Sequence, residues 1–108
     1  MARNTNQSNE VVLPIEGEMT IFFAQELREA IMPMIAGNDD IDINLSRVTE
    51  VDAAGMQLMI SAKLEAVLHG KMLRYSQHSQ AVLDMIDLCN LGSFFGDQLV
   101  IPSEATLP

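Results

Sequence analysis

The feature that most limits the fold is an alternation of short strand-like segments with longer helix-like ones. Apolar side chains recur at every second position over residues 11–15 and 41–45, which is typical of strands, and at helical spacing in the segments that follow. The order strand, helix, strand, helix, strand, helix, strand predicts an α/β fold with a small, mostly parallel sheet. Single apolar stripes on the helices predict that they pack mainly on one face of that sheet.

Turn and capping residues set the predicted boundaries of these elements. Pro14 favours an edge position for the first strand, because proline cannot donate a ladder hydrogen bond, and Gly17-Glu18 predicts the turn after it. Thr20 is a candidate cap for the first helix, which Pro33 should kink or shorten. The other predictions are a first helix with outer limits at residues 21 and 35, a second from residue 53 or 54 to 68 and a third from 80 to about 89, a loop over residues 46–51, and strands over residues 72–75 and 99–101.

Length and charge exclude several classes of partner. The 108 residues fit one domain at 10–102, with expected flexible tails at 1–9 and 103–108, and 15 acidic against 6 basic side chains give a formal charge of −9. This balance argues against binding to nucleic acid or to an anionic membrane, both of which need clustered lysine and arginine. It permits a basic protein partner, although many proteins are acidic for solubility alone.

The sequence also bears on the cellular compartment. No apolar run approaches the roughly 20 residues that span a bilayer, and the polar N-terminal residues lack the apolar core of a signal peptide. We therefore expect a cytoplasmic protein without direct membrane insertion. The single cysteine, Cys89, falls in an apolar helical segment, where we expect a buried and inert thiol.

Motifs for nucleotide, metal or nucleophilic chemistry are missing from the sequence. There is no glycine-rich phosphate loop, and neither the cysteine nor the two histidines stand at metal-ligand spacing, so we expect no cofactor and no metal. A small enzyme that uses Asp52 or Glu50 as an acid or base is an alternative from another class. Nothing in the sequence forms a nucleophile–base pair, and we expect a non-catalytic protein.

The segment from Asp42 to Gly55 carries the main functional signal. A strand-like stretch leads into the predicted loop, and Asp52 follows where it can cap the next helix. Ala53, Ala54 and Gly55 come directly after it, so no bulky side chain covers the helix N-terminus. In the purely structural interpretation, Ala53 is present only because alanine is a good helix former.

This arrangement resembles the signature of STAS domains, the fold of bacterial anti-sigma-factor antagonists. The resemblance runs from about residue 11 to residue 101 and implies a STAS-like sheet with helices mainly on one face. In that family the residue after the aspartate is usually a serine or threonine that becomes phosphorylated, whereas this chain has Ala53. The matching segments are Gly17-Glu18-Met19-Thr20, Ile43-Asn44-Leu45, Val51-Asp52-Ala53-Ala54-Gly55, residues 79–88 and Leu91-Gly92.

The resemblance implies a role in a partner switch. In the family, an anti-sigma factor that is a serine kinase of the histidine-kinase ATPase type binds the STAS domain around the helix N-terminus. It phosphorylates the residue after the aspartate, and the complex then dissociates. A PP2C-type phosphatase reverses the modification. The unphosphorylated STAS protein holds the kinase, so that the sigma factor is free to direct transcription.

Ala53 has no hydroxyl, so the switch cannot operate at this position. The chain is either a deliberate phospho-null variant of a protein with serine or threonine here, which the otherwise intact motif favours, or a natural member that always stays in the binding state. The alternative function is that of a STAS subunit of an ABC-type lipid transport system, where the domain packs on an ATPase. Asp-Thr-Ala-Gly variants occur in such subunits, and Ala53-Ala54-Gly55 is similar to them.

The partner face is predicted at the helix N-terminus and at the neighbouring turn. Ile21, Phe22 and Met56 would be unusual on a surface that binds nothing, which is the reason for including them. The alternative is that all three are core residues. The complete predicted face comprises Thr20, Ile21, Phe22, Asp52, Ala53, Ala54, Gly55 and Met56.

Overall fold

The computed structural model describes residues 10–37 and 40–95 as a three-stranded sheet with four helices. The strands pair in the order β1-β2-β3, and both ladders are parallel. The predicted α/β class with a parallel sheet is confirmed, while the predicted strand over residues 99–101 and the two predicted tails lie outside the described residues. The elements are β1 (Glu10–Met19), α1 (Ala24–Ala36), β2 (Asp40–Val51), α2 (Ala53–Leu68), β3 (Leu73–Ser76), α3 (Gln80–Leu88) and the short α4 (Gly92–Phe95).

The two faces of the sheet differ in polarity. On one face, Ile41, Ile43 and Leu45 of β2 are at most 1% exposed, and α1 and α2 pack against the strands. On the other face, Arg74 forms ion pairs with Glu10 and Asp42 at 2.9 and 3.2 Å. Helices packed mainly on one face were predicted, and the described part of the chain confirms it. None of the helices in that part is both long and apolar enough to cross a bilayer.

Strands β1 and β2 run further than the sequence predicted. The predicted turn at Gly17-Glu18 and the predicted loop over residues 46–51 are both wrong, because these segments pair with each other as the last part of the β1–β2 ladder. Register shifts between Pro14 and Glu16 and between Gly17 and Glu18 accommodate the irregular backbone. The extension carries β1 to Met19, next to the point where α2 begins.

Helix α1 begins at Ala24, inside the predicted N-terminal limit, and without the predicted cap. Thr20 does not cap it, since its hydroxyl donates to Oε1 of Glu18 at 3.1 Å. Instead, the N–H of Phe23 donates to the carbonyl of Thr20 at 2.9 Å, which closes a turn over residues 21–23 before the helix. Pro33 does not shorten the helix, which continues to Ala36.

Helices α2 and α3 begin where side-chain caps were predicted. Asp52 caps α2, and Oγ of Ser79 accepts from the N–H of Val82 at 3.3 Å at the start of α3. The prediction of a buried Cys89 is wrong. Because α3 ends at Leu88, Cys89 occupies the C-cap position and is exposed.

Candidate functional site at the start of α2

Asp52 connects the start of α2 to the turn that follows β1. Its Oδ1 accepts from the N–H of Gly55 at 3.0 Å, and its Oδ2 accepts from the N–H of Ile21 at 2.9 Å. The Asp52 N–H donates in turn to the Met19 carbonyl at 3.3 Å. The capping bond was predicted, whereas the bond to Ile21 joins residues 31 positions apart and leaves no local sequence signal.

These hydrogen bonds favour the ionised form of the carboxylate. The pKa of Asp52 lies below the ordinary aspartate value of 3.8, first because of the Ile21 amide and then because of the Gly55 amide, while desolvation acts in the opposite direction. The Ala54 amide makes a smaller contribution of the same sign. Asp52 is therefore a charged anchor that holds two segments together.

Gly55 allows the end of β1 to lie directly against the first turn of α2. A Cβ at this position would collide with the carbonyl oxygen of Met19 and would lie 2.9 Å from its carbonyl carbon. Both residues are buried, and the obstructing atoms belong to the backbone, so no side chain could move aside. The glycine of the motif is thus required by the packing that brings the β1 end to the helix N-terminus.

Ala53 lies on the surface at the first position of α2. Its side chain is exposed and that of Ala54 is half-buried. The N-terminus of a helix carries partial positive charge, which favours negative groups placed there. A hydroxyl at position 53 would be accessible to an enzyme, and a phosphate on it would not require the domain to unfold.

An exposed apolar turn lies beside Ala53. Ile21, Phe22 and Phe23 are 66, 83 and 42% exposed, respectively. Contiguous apolar side chains of this kind mark interaction surfaces, and the bond between Asp52 and the Ile21 amide fixes the turn to the helix start. We refer to Ile21, Phe22, Phe23, Asp52 and Ala53 together as the N-terminal face. Phe23 was missed because its spacing placed it on the apolar stripe of the predicted first helix.

Three residues of the predicted partner face lie in the interior instead. Thr20 is 7% exposed and Met56 is 3% exposed, and Gly55 is buried as well. Met56 belongs to the hydrophobic core because its position falls on the same side of α2 as Met59. The alternative that these apolar residues belong to the core is therefore correct for Met56 and wrong for Ile21 and Phe22.

A groove of about 550 Å³ opens next to the N-terminal face. It lies between the last residues of β1 and β2 and one side of α3, which sequence analysis did not connect with the site. Among the described residues, the lining combines four carboxylates with apolar side chains and contains no lysine, arginine or histidine. The residues that line it are Glu18, Thr20, Phe22, Thr49, Glu50, Val51, Asp52, Ala81, Asp84, Met85 and Leu88.

Comparison with known proteins gives a family match and a structural match. The family model described as "Mlab, STAS domain" matches residues 2–101. Among solved structures, the chain is similar to the anti-sigma factor antagonist SpoIIAA in its unphosphorylated form. The TM-score is 0.67 at 20% identity, over 95% of this chain and 90% of that one. At this identity the similarity concerns the fold. No curated protein matches the sequence.

Proposed function

The chain belongs to the STAS domain family, and from this premise we propose that it is a non-catalytic partner-switching regulator of the anti-sigma-factor-antagonist type. The observation that carries the proposal is the N-terminal face. An accessible residue at a helix N-terminus, Ala53, lies beside an exposed apolar turn, and Asp52 bonds to both segments. An accessible modification position next to a contact surface is the arrangement that a phosphorylation-controlled interaction requires.

The proposed partner is an anti-sigma factor that is also a serine kinase of the histidine-kinase ATPase type. It binds the N-terminal face through Ile21 and Phe22, with Ala53 and Ala54 beneath its active site. A PP2C-type phosphatase acts on forms of the protein that have serine or threonine at position 53. The proposed location of this exchange is the bacterial cytoplasm, where it regulates transcription.

The chemistry of the face explains how a phosphate would release the partner. A phosphate at position 53 adds about −1.5 to −2 charges. It would stand beside the Asp52 carboxylate and close to Ile21, whose side chain is 66% exposed. A complex that covers this face would have to remove water from the phosphate, and this desolvation costs free energy. The phosphate therefore opposes binding of the partner while the domain stays folded. Ala53 keeps the chain in the unphosphorylated, binding-competent form.

Placing a hydroxyl at position 53 tests this function directly. Purified chain is mixed with a kinase-type anti-sigma factor from the same genome and with ATP, and the products are followed by mass and by size-exclusion chromatography. The Ala53 chain should stay bound without a mass shift, whereas Ala53→Ser should gain one phosphate and leave the complex. Ala53→Asp should weaken binding less than the phosphate does, because a carboxylate carries less charge.

A matched control places the same hydroxyl one turn further along α2. Gln57 is exposed and lies four residues after Ala53, on the same side of the helix. The Gln57→Ser variant should bind the kinase and remain unmodified. Phosphate on Thr49 of the Ala53 chain, together with release of the partner, would contradict the proposal, and so would failure of every such kinase to bind.

The missing hydroxyl also favours a second candidate, a STAS subunit that packs on the ATPase of an ABC-type lipid transport system. A permanently associated subunit has no need of a phosphorylation switch, and the matching family model is named for Mlab. Binding of the same purified chain to the ABC ATPases of the genome distinguishes the two candidates. A stable complex with an ATPase that is unaffected by Ala53→Ser and ATP would favour the second.

A further inference from the structure

We propose that the groove beside the N-terminal face receives a cationic, amphipathic segment of the partner protein. The identity of that partner rests on the function proposed above, but the chemistry of the segment follows from the groove itself. The proposed interaction surface thus runs from the start of α2 to one side of α3.

One side of α3 forms a continuous wall of the groove. Ala81, Asp84, Met85 and Leu88 all line it, at the spacing i, i+3, i+4 and i+7 that places side chains on one helical face. Leu88 on this wall is 79% exposed, and Phe22, which also lines the groove, is 83% exposed. The groove therefore offers exposed apolar side chains to an apolar side chain of the partner.

The charges in the groove select the occupant. Glu18, Glu50, Asp52 and Asp84 contribute carboxylates, and the lining residues within 10–37 and 40–95 include no lysine, arginine or histidine. Two arginines elsewhere in the described chain pair with carboxylates outside the groove lining. For example, Arg47 pairs with Glu16 at 2.9 Å. A segment with lysine or arginine on either side of apolar residues is complementary to such a surface, and steering by these charges would speed its association.

The carboxylates are distributed along the groove. Glu18 belongs to β1, Glu50 to β2 and Asp84 to α3. Within residues 10–37 and 40–95, no group of three or more acidic, histidine or cysteine side chains is arranged to hold a metal ion. Separated carboxylates with apolar side chains between them are better matched to an extended or helical peptide that carries several basic side chains than to a single metal ion.

A pair of charge reversals tests the groove under matched conditions. Asp84 accepts a hydrogen bond from Gln80 at 2.7 Å, and Glu29 on α1 accepts the equivalent bond from Gln25 at 3.0 Å. Both carboxylates are exposed and follow their glutamine by four residues, but only Asp84 lines the groove. Asp84→Lys and Glu29→Lys therefore change net charge equally and lose the same type of local contact.

The probe is a synthetic amphipathic peptide of lysine and leucine, and its affinity for the intact chain is measured by calorimetry at two salt concentrations. Asp84→Lys should weaken binding about tenfold relative to Glu29→Lys, and the difference should shrink at high salt. Circular dichroism confirms that both variants are folded. Equal weakening by the two reversals would show that the peptide responds to net charge alone and would overturn the proposal.

A second measurement uses the kinase-type anti-sigma factor and separates this inference from the proposed function. If the kinase binds the chain and Asp84→Lys weakens that complex about tenfold more than Glu29→Lys does, the cationic segment that occupies the groove is part of the kinase. If the kinase binds both variants equally well, the groove is not part of the interface and the inference is wrong. If no such kinase binds the parent chain, the proposed function fails, while the peptide measurement still decides the chemistry of the groove.

Discussion

Large apolar side chains are exposed at both ends of α2, but they differ in how they are held. Beside the N-terminal end, Phe22 of the turn after β1 is 83% exposed, and at the C-terminal end Leu68 of the helix itself is 81% exposed. Helix α2 has 16 residues, so the two ends are separated by about 24 Å. Exposure alone does not distinguish them.

The N-terminal end is fixed to another part of the fold through the first turn of the helix itself. There, Asp52 bonds to the amide of Ile21, and Gly55 lies against the backbone of Met19. The C-terminal end closes through local backbone bonds, such as that from the N–H of Lys71 to the carbonyl of Ala66 at 2.8 Å. The long-range bonds near this end, from the Lys71 side chain to the Gly37 carbonyl and from the Met72 N–H to Oδ1 of Asp40 at 3.0 Å, are made by residues that follow the helix. The two ends therefore differ in the backbone beneath the exposed apolar side chains, because the turn at the N-terminal end is bonded to the residue that caps the helix.

The largest expected difference between the two ends is in their tolerance of an added methyl group. Gly55→Ala places Cβ against the Met19 carbonyl, and we expect a loss of about 3 kcal/mol in the free energy of unfolding. Gly70→Ala at the other end meets open space but has φ of +69°, and we expect a loss of about 1 kcal/mol. Denaturant unfolding measures both, and equal losses would mean that the close approach at Gly55 is relaxed at little cost.

The elements that were predicted correctly have local causes. Asp52 and Ser79 start α2 and α3 because their own side chains cap the helices. The turn at Gly17-Glu18 and the loop over residues 46–51 were predicted wrongly because each segment becomes a strand only through pairing with the other. Pairing across some 30 residues leaves no periodic signal within either segment.

The candidate site was predicted in part for the same reason. Asp52 and Ala53 could be identified from the motif, but the extent to which each neighbouring apolar side chain is buried could not. Met56 and Val67 lie at helical spacing on one side of the predicted helix over residues 53–68, yet Met56 is 3% exposed and Val67 is 68% exposed. The contribution of α3 to the groove was also missed, because it depends on tertiary packing that brings Asp84 near Asp52.

The next difference concerns binding, and it uses two side chains of almost equal exposure. Phe22→Glu should weaken the complex with the kinase-type anti-sigma factor by about 2 kcal/mol, or roughly thirtyfold, as is typical of an aromatic anchor at an interface. Leu68→Glu should change affinity less than twofold, because that end lies outside the proposed face. Each substitution should change the free energy of unfolding by no more than about 0.5 kcal/mol. Equal losses of affinity, measured by calorimetry, would place the C-terminal end of α2 in the interface too.

The smallest expected difference is in the response of the two ends to acid. Asp52 has a pKa below 3.8 in the folded protein because it accepts from the Ile21 and Gly55 amides. A carboxylate with a lowered folded-state pKa stabilises the fold fully above the unfolded-state value, and this contribution is lost as the pH falls through the folded-state value. The N-terminal end of α2 should therefore loosen below about pH 4, before the C-terminal end of the helix, where the Lys71 N–H donates to a backbone carbonyl.

Amide hydrogen exchange can resolve this difference residue by residue. As the pH is lowered, the protection of the Ile21 and Gly55 amides should fall, whereas that of Lys71, which donates to a backbone carbonyl, should change little after correction for intrinsic rates. Asp52→Asn keeps a side-chain acceptor but cannot titrate, so it should remove the pH dependence at Ile21 and Gly55 while lowering their protection at neutral pH. A parallel loss of protection at Lys71 would mean that acid unfolds the helix as a whole, and the anchoring role of the Asp52 charge would then be wrong.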